Sequence, residues 1–562
     1  APAADAPRAV AGRAATGCAC LRGLRRVDRR AARGKLRPAG ATATCATNTD
    51  KPSDWGHLIR LANSDAVKFL DRLAVERNVA VNCLNQLSTP TNGTAPMTLR
   101  QFCSQHVVPT ILLAMHLAIG SVASAAKPNF VLILADDLGW ADLGCYGNSF
   151  NETPNIDRMA RHGLRFTQFY AGPVCSPTRA NLQSGLDQAR FGITQHIPGH
   201  RRPFARLSDP VVPNHLPLEV RTFAERLATV GYATGYFGKW HLGGPGFGPE
   251  EQGWQTAFET KGNTLKSTAT GPTETRRTAE FLTDKAIAFI ESNLERPFLL
   301  QVSHSAVHIP LSTRPDLMAK YQAKSPMPGY PSNPTYAGLL EELDESVGRI
   351  VEAIDRAKIA DNTLILFLSD NGGLEHEQNG TIVTSNAPLR GEKGTLYEGG
   401  VRVPAVARWS GRIAANSICE IPAITLDVTP TLLELAASEP QQLDGVSLLP
   451  LLKTPAEQLQ RDALYWHLPH YHHSTPASAI RRGDWKLIEF FEDKRVELYN
   501  LRADPGEQND LAAQEPERAL ALQQALESWR QRVHARLPTP NPNYDPARAA
   551  ELAGAKKASR QP

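Results

Sequence analysis

From Phe130 onward, short uninterrupted apolar runs alternate with longer amphipathic stretches. This is the pattern of an α/β fold whose strands are covered on both faces. Phe130–Ala135 reads as a strand that runs directly into Asp136 and Asp137, and Thr363–Leu368 as another that passes through Ser369 into Asp370 and Asn371. Tyr232–Phe237 leads to Lys239 and His241, and Phe298–Ser303 leads to His304 and His308. Open α/β sheets bind ligands beyond the carboxyl ends of their strands, so these four runs are expected to deliver carboxylates, an amide, a lysine and histidines to one place. Between them, Tyr336–Ile359 sets Leu339, Leu343, Val347, Ile350, Val351 and Ile354 on one helical face, a stripe that covers a sheet. Leu218–Val230 and Thr278–Asn293 predict similar helices.

After Leu464 the texture changes to strand-like runs at 464–467, 479–480, 485–491 and 496–501, followed by a polar helix from about 514 to 532. That predicts a smaller antiparallel sheet packed by one helix. The expected organisation is a main domain over 126–457, a small C-terminal α+β domain over 458–536 and a tail over 537–562, with no internal repeat. Upstream, residues 1–96 are expected to be low-complexity and unfolded, or to lie outside the true protein. Residues 97–125 have the layout of a signal peptide, with Arg100, an uncharged apolar run Val107–Ile119 and the small-residue site Ala123-Ser124-Ala125. A membrane anchor and a buried core segment are the alternatives, though Pro109, His116 and Gly120 interrupt the roughly 20 apolar residues that a span requires.

Composition narrows the class further. At 41% hydrophobic and 21% charged residues the chain is neither wholly disordered, collagen-like nor a multi-span membrane protein. The formal charge of +4 arises in one tail, because residues 1–40 are strongly basic and the remainder is net acidic, so no nucleic-acid footprint spreads over the rest. Of the eight cysteines only Cys145, Cys175 and Cys419 follow the signal-like segment, which leaves room for at most one disulfide. The triplets beginning at Asn92, Asn151 and Asn379 are formal glycosylation sequons.

Cys175-Ser176-Pro177-Thr178-Arg179 follows a Gly172-Pro173 turn and opens a helix-like stretch, where free N–H groups and the helix dipole favour an anion. Alone, a cysteine there is most often structural, an Asp pair a solvated turn, and Asp-Asn-Gly a turn. Here both polar pairs, Asp136-Asp137 and Asp370-Asn371, end long apolar runs. The C-x-P-x-R run occurs together with Lys127–Asp137, Thr153-Pro-Asn-Ile-Asp157, Gly238-Lys-Trp-His-Leu-Gly243, Ser369-Asp-Asn-Gly372 and Gly391–Gly400. The set resembles the formylglycine-dependent sulfatases of the alkaline-phosphatase superfamily, over about 127–533. Thr178, and Gln183 and Ser184 within Leu182–Gly185, depart from the usual residues of that pattern.

The resemblance implies a large mixed central sheet flanked by helices, alkaline-phosphatase-like, as a catalytic domain. It implies oxidation of Cys175 to Cα-formylglycine by a maturation enzyme, the hydrate supplying the nucleophilic oxygen. It further implies one Ca²⁺ held by Asp136, Asp137, Asp370, Asn371 and residue 175, an all-oxygen anionic set. In the same pattern Lys239 and Lys393 hold sulfate oxygens, Arg179 stabilises the ionised formylglycine hydroxyl, His308 protonates the leaving alcohol, and His241 assists sulfate expulsion. A sulfate monoester needs charge neutralisation, an activated oxygen and a proton donor, and this set offers all three. Specificity is expected from His196, His200, Arg201 and Arg202 after the nucleophile helix, from His376, and from His470 in the His467–His473 cluster, groups suited to a sulfated carbohydrate. The expected protein is a periplasmic or secreted carbohydrate sulfatase with no nucleic-acid partner and no stable membrane span. A phosphonate or phosphate monoesterase of the same superfamily and a silent glycan-binding homologue are the alternatives.

Overall fold

The computed structural model describes residues 127–266, 275–378, 380–439 and 441–553. The expectations for 1–96 and 97–125, and those for Asn92 and Asn379, lie outside the described residues. A nine-stranded mixed sheet forms the centre. Its order is Ser417–Cys419, Leu164–Tyr170, Arg402–Arg408, Thr363–Ser369, Asn129–Ala135, Phe298–Ser303, Ala233–Gly238, Thr256–Glu259, with Ala423–Ile424 also pairing with Leu164–Tyr170. Asn129–Ala135 lies between Phe298–Ser303 and Thr363–Ser369, parallel to both, with Val131 level with Leu300 and Ile365. Ala233–Gly238 continues the parallel set, so all four strands recognised in the sequence end on one edge.

The alternation of side chains across a strand explains why these runs are uniformly apolar. Phe130, Leu132 and Leu134 join the core beneath the helices Cys175–Ser184, Phe223–Ala228 and Val428–Leu435. Val131, Ile133 and Ala135 join the opposite core, beneath Pro154–Arg161, Thr278–Glu291 and Pro334–Arg356. Each large side chain so buried contributes about 1.5–3 kcal/mol. The long helix starts earlier than its apolar stripe suggests, because Asn333 caps it by accepting from the backbone N–H groups of Thr335 and Tyr336. The segment expected to be helical over 218–230 is helical only over Phe223–Ala228, begun by a capping box between Thr222 and Glu225.

The four-stranded antiparallel sheet Leu464–Leu468, Ala477–Arg482, Trp485–Phe490, Val496–Asn500 packs one face on Tyr170, Val401 and Ile424 of the main body. Its other face carries Ile480, Leu487 and Leu498 against Leu522, Leu526 and Trp529 of the helix Pro516–Arg532. Among the described residues the cysteines are free and no helix is long and apolar enough to cross a membrane. Asn151 is buried and donates to the Asp142 carbonyl and to Tyr330, so its sequon is inaccessible in the folded chain.

One glycine fixes a strand end at the site. Gly238 has φ +121, and a Cβ there would lie 1.9 Å from the Ser303 carbonyl oxygen. Gly238→Ala is therefore expected to destabilise the fold by about 2–4 kcal/mol, read as a lower midpoint of urea unfolding.

Candidate active site

The Asp136-Asp137 and Asp370-Asn371 pairs end adjacent parallel strands and interlock. The Asp137 N–H donates to Asp370 Oδ1 at 3.2 Å, and Asn371 Nδ2 donates to Asp137 Oδ1 at 2.7 Å. Asp137 adopts a left-handed φ of 63, which turns the chain abruptly after the strand and lets both carboxylates face the same space. All four side chains are fully buried, with no more than 3% exposure. Behind them Asp142 accepts from the Gly139 N–H, Tyr330, Tyr336 and Thr384, pinning the loop that follows Asp137.

Cations surround this carboxylate group. Lys239 Nζ pairs with Asp136 Oδ2, and Lys393 Nζ reaches the two Asp137 oxygens at 2.7 and 2.8 Å. Arg179, from the helix Cys175–Ser184, donates through Nε and Nη2 to Asp370 Oδ2 at 3.0 and 2.7 Å and through Nη1 to the Lys239 carbonyl at 2.6 Å. Burial alone would raise the Asp136 carboxyl, but Lys239, His308 and Arg179 hold it well below its ordinary value. Burial, reinforced by the charge on Asp136, pushes Asp370 up. His308 Nε2 stands 3.6 Å from Asp137 Oδ2 on a half-exposed ring at the mouth.

Cys175 is the first residue of its helix and is 2% exposed. Its Sγ lies 3.2 Å from His241 Nδ1, while His241 Nε2 lies 2.6 Å from the Ile197 carbonyl oxygen. A carbonyl oxygen only accepts, which assigns the proton to Nε2 and turns a free Nδ1 lone pair toward residue 175. Burial first, then Lys239 and Arg179, lower the His241 pKa to about 4, so this ring is neutral at pH 7.

A cavity of about 630 Å³ opens here, and its lining includes Asp136, Cys175, Lys239, His241, His308 and Lys393. Of the residues expected to set specificity, His196 and His200 line it. Arg202 stands behind that wall, donating to the His472 carbonyl at 3.1 Å. Arg201 and His376 are exposed and outside the lining. His470 is 1% exposed and turned to Thr194 Oγ1 at 2.8 Å, so the C-terminal contribution comes from His472 and His473 instead. His467 is likewise core, between Ser478 and the Arg536 carbonyl, and His304 is buried against Ser346.

Ser305, Glu259 and Lys261 also line the cavity, and the sequence reading missed them. Glu259 ends and Lys261 follows the short strand Thr256–Glu259, whose exposed residues give no apolar run to read. The two departures from the sulfatase pattern are accommodated. Thr178 Oγ1 accepts from the Gly172 N–H at 2.8 Å, and the buried Gln183 bonds Gln301 at 2.8 Å.

A family model described as Sulfatase matches residues 128–438, and one described as N-sulphoglucosamine sulphohydrolase, C-terminal, matches 391–533. The chain is 32% identical over 496 residues to a sulfatase of Formosa agariphila, covering 72% of this chain and 88% of that one. It is 33% identical over 480 residues to human arylsulfatase A, covering 73% and 89%. Its fold matches the crystal structure of Ps i-CgsB in complex with k-i-k-neocarrahexaose with a TM-score of 0.61 at 27% identity, over 74% of this chain and 94% of that one. The interlocked carboxylates, the ring of cations and these matches together make the chain a member of the sulfatase family, hydrolases of sulfate esters within the alkaline-phosphatase superfamily.

Proposed function

We propose that this sulfatase acts on sulfated carbohydrates, with residue 175 as formylglycine and one Ca²⁺ bound by Asp136, Asp137, Asp370 and Asn371. The observation that carries this reading is the meeting of residue 175, Asp136 and two lysines in the lining of a single cavity, with Asp137 and Asp370 bonded directly behind them. Two buried oxygens, Asp136 Oδ1 and Asn371 Oδ1, have no hydrogen-bond partner among the described residues, as expected where a hard cation belongs. A bound Ca²⁺ would supply electrostatic stabilisation of anionic oxygen, and the hydrated formylglycine would supply the attacking oxygen.

The chain's own residues perform the rest. Lys239 and Lys393, one on each carboxylate, hold the anionic sulfate oxygens beside residue 175. Arg179, fixed by Asp370, keeps a permanent positive charge beside the same residue. His308 at the mouth is placed to give a proton to the departing alcohol, and His241 Nδ1 is placed to take one from residue 175. His196, His200, His472 and Lys261 offer polar contacts to sugar hydroxyls and sulfates, and the k-i-k-neocarrahexaose complex of the structural neighbour supports a carbohydrate substrate. The apolar run 107–119 and Ala123-Ser124-Ala125 support export to the periplasm or medium, which sequencing the mature N-terminus tests.

His241→Ala is expected to lower kcat by on the order of 10²–10⁴, measured as sulfate release by protein whose residue 175 is verified as converted. Chelation with EGTA is expected to lower the melting temperature. Removing a ligand present at 100–1,000 times its Kd costs about 2.7–4.1 kcal/mol, and Ca²⁺ should restore the loss more fully than Mg²⁺. The proposal itself is tested on a panel of defined sulfated oligosaccharides beside matched aryl sulfate and aryl phosphonate. Sulfate release from the saccharides supports it, and turnover of the aryl phosphonate alone contradicts it.

A further inference from the structure

Three imidazoles to which the reaction assigns no proton meet in the cavity wall. His196 and His200 come from the loop after the helix Cys175–Ser184, and His472 comes from the loop that follows the strand Leu464–Leu468. One ring nitrogen of each can be chosen so that all three lie within 4.8 Å of one another. Ring centroids are separated by 4.5 Å for His196 and His200, 5.3 Å for His200 and His472, and 5.5 Å for His196 and His472. His472 is only 7% exposed, and its Nδ1, like the Nδ1 of His196, is buried without a hydrogen-bond partner among the described residues. Leaving such atoms unpaired carries a desolvation cost that a ligand would remove. The crowding is built into the chain, since Gly394 has φ +77 and any Cβ there would lie 1.9 Å from His472 Nδ1.

We propose that His196, His200 and His472 form a second cation site, for a borderline-soft divalent ion such as Zn²⁺, distinct from the oxygen ligands of the catalytic centre. A set of neutral nitrogens suits Zn²⁺, Ni²⁺ or Cu²⁺, whereas Ca²⁺ takes oxygens. Burial first, and then neighbouring histidines and Lys393, lower His196 to about 3 and His472 to about 2, and lower His200 as well, so the lone pairs are free at neutral pH. Zinc–nitrogen bonds of about 2.0–2.1 Å require the three nitrogens to draw together modestly, which the exposed His200 can do. The nearby Lys393 ammonium opposes a cation, but its charge is offset by Asp137 at 2.7 Å. Three nitrogen ligands leave a fourth position facing the cavity, so an ion here would share the wall that a substrate uses.

The test reads metal content and does not depend on the sulfatase reading. The full chain is equilibrated with Zn²⁺ in a large excess of Ca²⁺, which keeps the oxygen ligands filled, then dialysed and assayed for both metals. The expected result is about one zinc per chain in the unsubstituted protein, and near-complete loss of that zinc in His200→Gln, with calcium unchanged. His196→Gln should lose it equally, and His200, being exposed, permits substitution without disturbing the core. Absence of retained zinc in the unsubstituted protein overturns the proposal, because the imidazoles then serve the organic substrate alone. Equal retention in His200→Gln also overturns it, because the ion then sits elsewhere, as among Asp136, Asp137 and His308.

Discussion

Cys175→Ala is expected to lower kcat for sulfate release by on the order of 10⁵-fold or more, since removing a nucleophile removes the chemistry of the whole constellation. The effect should fall on turnover and leave the fold intact. The Cys175 thiol makes one polar contact, to His241, and the helix it opens is held independently by the bonds of Arg179, Gln183 and Thr178. Unchanged denaturant midpoints together with lost sulfate release are the predicted pair of observations. A variant that retains even a hundredth of the turnover would place the nucleophile elsewhere.

The second large effect is on stability. Lys486, from the C-terminal sheet, is fully buried between two fully buried carboxylates, 2.9 Å from Glu398 Oε1 and 3.0 Å from Glu507 Oε1. Glu398 also accepts from Tyr170 at 2.6 Å, and its N–H donates to Glu507 Oε2 at 2.6 Å. This network joins the main sheet, the segment that carries Lys393 and the small sheet. Lys486→Met leaves both carboxylates in the interior without that cation and is expected to cost about 3–5 kcal/mol, measured by urea unfolding.

The pH dependence has a definite sign. Burial alone would raise Glu398, but Lys486, Arg402 and Arg481 hold it at about 2. Its contribution is therefore present above the ordinary Glu value of 4.5 and is lost as pH falls from there toward 2. Glu507 is instead pushed up, by burial and then by Glu398. Without Lys486, Glu507 is pushed up further and Glu398 loses its leading counter-charge and rises, so the variant should lose stability as pH rises from about 5 to 8. A deficit that is equal at both pH values would contradict this account of the network.

The sheet and its reactive edge were legible because their signals are local. Phe130–Ala135 and Thr363–Leu368 are unbroken apolar runs, and a polar pair at the end of such a run has few places to point except the carboxyl edge. Arg402–Arg408 escaped that reading. Its centre carries Pro404, a residue that argues against a strand, and the sheet accommodates it at a register shift between Val403 and Ala405. The cavity wall was legible only in part, because the identity of a histidine does not reveal its direction. His470 and His472 are two residues apart in one motif, yet the first is packed on Thr194 and only the second reaches the cavity. Ser305 and Lys261 carry no local mark at all, and become visible only when loops distant in the chain are brought to one mouth.

The central claim is that residue 175, once converted, is the group that attacks sulfate. Its most direct test is the rate of sulfate release from a sulfated oligosaccharide, compared across preparations in which mass spectrometry of the peptide bearing residue 175 gives different converted fractions. The account predicts a rate proportional to that fraction, reaching zero for protein that retains the thiol. A rate independent of conversion would contradict it.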